Sequence, residues 1–214
     1  MTWMPPSLSS LQLRLLLALR QAGIASPETL AERLGEDPRE LGPMLQSLSA
    51  EAQVDYLGGR LTGWMLTESG RTLGEKLLKA ELDETGSRVS VQQSYEQFRE
   101  LNGPFLRVCS DWQVRKQNGV DTPNAHDDPD YDVAVLGRLS DVHRQLVVVL
   151  RSLGERLERY QWYEPAFNNA LRRLNDGDRD YFTRPRKRSY HSIWFELHED
   201  LLATLNLSRA SEGI

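Results

Sequence analysis

Asp37-Pro38-Arg39-Glu40-Leu41-Gly42-Pro43-Met44-Leu45-Gln46-Ser47-Leu48 decides how the amino-terminal part of this chain folds. Asp37 is an N-cap, Pro38 presets φ for the first helical residue, and Glu40 is placed to close a capping box. Leu41, Leu45 and Leu48 recur at helical spacing, so they share one face and predict a helix with that face buried.

Working outward, Ser26-Pro27 repeats the cap-and-proline start for a helix of about two turns, with Leu30 and Leu34 inward and Gly35 at its end. Before it, after Trp3 and Pro5-Pro6, Ser9 or Ser10 caps a helix whose Leu11, Leu15, Ala18 and Leu19 run up to Gly23. Downstream, Val54 to Leu66 turns strand-like around Gly58-Gly59, a pair suited to a tight hairpin. Leu66-Thr67-Glu68-Ser69-Gly70-Arg71 then enters a helix through Leu73, Leu77 and Leu78, and Gly86-Ser87 breaks it. A boundary near residue 86 follows, giving domains 1–85 and 86–214.

The second domain reads as helical. Phe98, Leu101, Phe105, Val108 and Trp112 mark one face of a long helix, and Leu136, Leu139, His143, Leu146, Leu150, Leu153 and Leu157 mark another. Between them, Gln117 to Asp130 is dense in Asn, Asp, Pro and Gly and is expected to hold no regular element. Pro165 starts or kinks a helix through Phe167, Ala170, Leu171 and Leu174, closed by Gly177, and a last helix is expected from about Ser189 to Leu205. The fold class is therefore mainly α, with a short β-hairpin in the first domain.

Bulk properties narrow the function classes. With 214 residues, 39% hydrophobic and 27% charged, the chain has the composition of an ordinary globular protein. The single cysteine, Cys109, leaves no intrachain disulfide and fits a reducing compartment. The run Leu15 to Leu19, bracketed by Arg14 and Arg20, is too short for a membrane span and lacks a signal-peptide cleavage pattern. A cytoplasmic protein with no membrane partner is expected.

The order helix, helix, capped helix, Gly-Gly hairpin, then Trp64-Met65-Leu66-Thr67-Glu68-Ser69-Gly70-Arg71, resembles the winged helix-turn-helix of MarR-type and PadR-type transcriptional regulators. The likeness covers the amino-terminal domain. It implies binding of double-stranded DNA, with the helix from Pro38 in the major groove and the hairpin tip on the backbone. Arg39, Gln46 and Ser47 then face the groove and Arg60 serves the wing. Residues 1–85 depart from that pattern in charge, with 8 Lys+Arg against 12 Asp+Glu, and Glu40 and Glu51 stand near where phosphates would lie. MarR proteins also carry an extra helix ahead of the core for dimerisation, which this chain starts too late to supply. The carboxy-terminal helices are therefore expected to make the homodimer. The region from residue 90, with Asp111-Trp112-Gln113 and Ser189-Tyr190-His191 to His198-Glu199-Asp200, resembles a helical region following winged-helix segments in actinobacterial proteins.

Arg184-Pro185-Arg186-Lys187-Arg188 is the densest positive run, and Arg186, Lys187 and Arg188 are candidates for further phosphate contacts. The competing reading is a surface loop paired with Asp127, Asp128 and Asp130. Trp112, Trp162, Tyr163, Tyr190 and Trp194 could wall a site for a small-molecule effector with Gln113, Ser189, His143, His191 and His198, although core packing is the simpler account of such aromatics. His191 and His198 stand seven residues apart, too far along a helix to share a metal ion. One of them joined with His143, Glu196, Glu199 or the loop group His126-Asp127-Asp128 from another element would make a nitrogen and oxygen ligand set, but a histidine on an apolar stripe is more often a hydrogen-bonded core residue. No metal or cofactor is expected. Gly-x-Ser-x-Gly, a phosphate-binding glycine loop and His-Glu-x-x-His are all missing, and Cys109 falls in an apolar helical setting that suppresses a nucleophilic thiolate. The sequence thus reads as a regulator without enzymatic activity, the alternative being a winged-helix module that binds a protein partner instead of DNA.

Overall fold

A computed structural model describes residues 10–117, 119–184 and 188–208, with only the backbone of Gln117. Trp3, Pro5, Pro6, Ser9, Pro185, Arg186 and Lys187 lie outside the described residues. The protein is mainly helical, with two small antiparallel sheets. It divides into two compact units, one of residues 10–88 with 199–208 and one of residues 89–198.

The first unit runs α1 (Leu11–Ala22), β1 (Ile24–Ala25), α2 (Pro27–Leu34), α3 (Pro38–Ala50), β2 (Val54–Leu57), β3 (Gly63–Leu66) and α4 (Glu68–Thr85). Each helix start satisfies an amide that the helix itself leaves open. Ser10 accepts from the Leu13 amide, Ser26 from Thr29, Asp37 from Arg39 and Thr67 from Gly70. Glu40 does not complete a capping box: its amide turns tightly onto the Asp37 carbonyl at 3.0 Å, and its exposed side chain has no partner among the described residues. Leu15, Leu19, Leu30, Leu41, Leu45, Leu48 and Val54 interlock as one buried core, with Trp64, Leu66 and Leu73 packed against it.

The sheet has the order β1-β3-β2, all antiparallel. The two-residue strand β1 was not expected, since Ile24-Ala25 carries no periodicity of its own; pairing with Trp64 and Met65 creates it. Gly58-Gly59 does not form a two-residue turn. Residues 58–62 make a longer loop, held by Thr62 donating to the Gly59 carbonyl at 2.8 Å. Two later glycines are required by close approach. A Cβ at Gly63 would stand 2.7 Å from the Ala25 carbonyl oxygen, and one at Gly70 would stand 1.9 Å from that of Gln53.

The second unit comprises α5 (Arg88–Gln113), which begins at the junction, β4 (Val114–Gln117), β5 (Val120–Pro123), α6 (Pro129–Gly154), a 3-10 turn (Glu158–Tyr160), α7 (Tyr163–Asn175), α8 (Asp180–Thr183) and the start of α9 (Tyr190–Leu205). The expected faces are buried: Phe98, Phe105 and Trp112 on α5, and Leu139, His143, Leu146, Leu150 and Leu153 on α6. The stretch expected to lack regular structure instead carries β5. Strands β4 and β5 pair from Gln117 opposite Val120 to Val114 opposite Pro123, and Gly119 has φ of +82°. Two-residue hairpin loops require such left-handed conformations.

Helix α9 serves both units, with residues 190–198 in the second and 199–205 in the first. A boundary at residue 86 had assigned all of it to the carboxy-terminal domain. Ala203 explains the difference, because it packs with Leu13, Leu17 and Leu78.

Candidate nucleic-acid interface

Helix α3 is amphipathic because its three leucines bury themselves and leave the opposite side to solvent. At 100° per residue, Arg39, Pro43, Gln46 and Ala50 form the centre of that exposed side, with Ser47 beside them and Glu40 beyond Ser47 at the edge. Carboxylates therefore flank this face without covering its middle. Pro43 removes the amide that would have bonded the Arg39 carbonyl, a loss that water can make good on an exposed face.

Most cations of the first unit are engaged. Arg14 pairs with Glu36, Arg20 with Glu75 at 3.2 Å, Lys79 with Asp83 at 2.5 Å, and Arg33 bonds Gln21 at 3.1 Å. Among the described residues, the exposed side chains of Arg39, Arg60, Arg71 and Lys76 have no such partner. Arg60 stands in the loop between β2 and β3, in company with exposed apolar residues: Leu61 is 65% exposed and Tyr56 is 56% exposed. Tyr56 is steadied from behind by Trp64, their rings edge to face at 5.3 Å. Free carboxylates also stand nearby, at Glu40 and Asp55, while Glu51 accepts from Gln53 at 2.8 Å.

Within the basic run, Arg188 lies over the Trp162 ring at 4.9 Å and Arg184 pairs with Asp180 at 2.5 Å. The acidic stretch expected as an alternative partner turns elsewhere, since Arg115 holds Asp127 at 2.6 Å and Asp128 at 3.6 Å. Arg186 and Lys187 lie outside the described residues.

The residues proposed to wall an effector site separate into two groups. Tyr190, His191, Trp194 and His198 on α9 pack against Phe98 and Phe105 of α5, with Phe105 and Trp194 stacked at 4.0 Å. Trp194 donates to Asn102 at 3.1 Å. Trp112 instead meets Phe182 and His126, and Gln113 is exposed. His143 joins the α9 group through polar bonds. Its Nε2 donates to the Asn168 side-chain oxygen at 2.9 Å, which leaves Nδ1 to accept from the Tyr190 hydroxyl at 3.1 Å. Burial holds the His143 imidazole below its ordinary value, while Asn168 and Glu164 act the other way. Burial likewise pushes the Tyr190 phenol far up, so Tyr190 is the donor, and it pushes the Cys109 thiol up to about 12. A neutral, internally satisfied histidine and an inert thiol are groups of a packed core.

The sequence singles out His126 with Asp127 and Asp128, but its partner is Asp132. His126 Nδ1 lies 3.0 and 2.9 Å from the two carboxylate oxygens of Asp132, a residue only 7% exposed. The two residues are six positions apart, joined by a turn in which His126 itself has φ of +58°. No periodicity signals such a turn.

Among the described residues, no group of three His, Cys, Asp or Glu side chains is placed to hold a metal ion, and no helix is long and apolar enough to cross a membrane. Comparison with models of known families, with curated proteins and with solved structures finds no match to this chain.

Proposed function

We propose that this protein is a DNA-binding transcriptional regulator whose first unit is a winged helix, with α3 in the major groove and the β2–β3 loop on the phosphate backbone. The observation that carries the reading is the exposed side of α3: Arg39, Gln46 and Ser47 are exposed, and Arg39 and Arg60 have no carboxylate partner among the described residues. Arginine and glutamine are the side chains that bond guanine and adenine edges in pairs. The element order and the antiparallel β1-β3-β2 sheet agree with that fold. In this reading the chain acts as a cytoplasmic homodimer on a twofold operator, with the helical unit supplying dimerisation and any effector response.

Fluorescence anisotropy with duplex DNA from upstream of the coding sequence, measured across a salt series, tests the reading. Two unpaired cations on the face predict a log–log salt slope of about −2 for each protomer bound. Arg39→Ala and Arg60→Ala should each weaken binding and flatten that slope. Absence of saturable binding at low salt would refute DNA recognition.

The apolar loop favours a second reading. Tyr56 and Leu61 are unusual choices for a surface that meets phosphates, and they suit a protein partner. Leu61→Ser separates the two: it leaves the salt slope of DNA binding, set by Arg39 and Arg60, unchanged under the first and abolishes complex formation with a protein partner under the second.

A further inference from the structure

His126 has the features of a reactive imidazole. Asp132 faces its Nδ1 with both carboxylate oxygens, which fixes the proton on that nitrogen and leaves the lone pair on Nε2. Asn124 reinforces the arrangement by spending its two amide hydrogens on the Trp112 carbonyl at 3.2 Å and on Asp132 at 3.1 Å. The ring packs on Trp112, with centroids 4.4 Å apart. Its backbone is pinned in the left-handed region, the amide donating to Asn124 at 3.1 Å and the carbonyl accepting from Arg179 at 3.2 Å. Strain held in place by several bonds is found where a side chain must be aimed.

Nε2, in contrast, has no partner among the described residues and is not among the buried unsatisfied atoms, so it opens to solvent. Arg179, 55% exposed, reaches the same turn, with one guanidinium nitrogen on the His126 backbone carbonyl and 3.7 Å from Asp132. Its other N–H groups have no partner among the described residues. Arg115, the next cation, is occupied by Asp127 and Asp128. A lone-pair nucleophile oriented by a buried carboxylate, with a guanidinium anchored on the same residue's carbonyl, suits an incoming phosphoryl group better than a metal cation.

We propose that His126 is a phosphoryl-acceptor site, modified on Nε2 by small acyl phosphates. The Nε2 lone pair forms the P–N bond as the P–O bond to the acyl group breaks, and the departing carboxylate takes that electron pair. The imidazolium so formed passes its Nδ1 proton through Asp132 to water, and the phosphoryl oxygens turn toward the remaining N–H groups of Arg179. Nothing in this step depends on DNA binding.

The experiment is incubation of the full chain with acetyl phosphate, followed by intact-mass and peptide analysis at neutral to alkaline pH and by phosphorus NMR. One phosphoryl group is expected, on His126, as the Nε2 isomer and labile to acid. His126→Gln should abolish it, and Asp132→Asn should slow it by about tenfold or more. Circular dichroism of both variants reports whether they fold; the isomer assignment, made on the wild-type chain, stands independently of either. No adduct, the Nδ1 isomer, equal labelling of His143, His191 or His198, or a folded Asp132→Asn variant reacting at the wild-type rate would each overturn the proposal.

Discussion

Gly70 and Gly74 sit one turn apart on α4, both buried, and substituting each with alanine should move stability in opposite directions. At Gly70 the added methyl would stand 1.9 Å from the Gln53 carbonyl oxygen and 2.9 Å from its carbon. Those are backbone atoms, so the turn between α3 and β2 must move. Overpacking of this kind costs about 1–3 kcal/mol. The same carbonyl accepts from the Thr67 amide at 3.2 Å, and losing that bond adds about 1 kcal/mol. Higher helix propensity returns about 1 kcal/mol, so Gly70→Ala should destabilise by roughly 1–3 kcal/mol. At Gly74 the nearest atom is the Leu16 Cβ at 3.8 Å, an ordinary contact, so alanine should be neutral or stabilise by up to about 1 kcal/mol. Urea unfolding followed by circular dichroism measures both, and hydrogen exchange localises the change to residues 10–88. Equal stability of the two variants would show that α4 does not approach the Gln53 turn as described.

Other consequences follow from the polar interior. Below pH of about 6.5, the ordinary histidine value, stability should fall, because the unfolded chain takes up a proton that folded His143 resists; the loss levels off beneath the lowered folded value. His191, lowered by burial, acts with the same sign, so His143→Gln should reduce the acid slope of thermal unfolding without removing it. Asp132→Ala leaves His126 and Asn124 without their shared acceptor in a buried place, and should cost about 1–3 kcal/mol in urea unfolding. Cys109 should resist a disulfide reagent at neutral pH and react at once in denaturant; fast labelling of the native chain would contradict its burial.

Much of the first unit was legible because its signals are local. Ser26-Pro27 and Asp37-Pro38 start helices wherever they are found, and the leucine spacings of α1, α2 and α3 need no partner to be read. What was missed depends on distant residues or on a signal drowned by its surroundings. Strand β1 exists through Trp64 and Met65, forty residues away in the chain. Asn118-Gly119 is the sequence a two-residue hairpin favours, but its flanks, Arg115-Lys116-Gln117 and Asp121-Thr122, lack the apolar alternation that would have drawn notice. The exposed candidates on α3 could be read from helical phase alone. The pairing of His126 with Asp132 could not, since a left-handed turn brings the two together. Likewise, no feature of the last helix indicates that Ala203 packs with Leu13 and Leu78.

The sheet order leaves β2 with one flank that pairs with no strand among the described residues, and two of its four residues, Tyr56 and Leu57, are exposed and apolar. Such a border is a template on which a neighbouring chain can crystallise its own strand. Asp55 is the lone gatekeeper there: any effort to raise expression or concentrate the protein should spare that aspartate, and adding a lysine at position 57 would improve shelf life before any change to the core did.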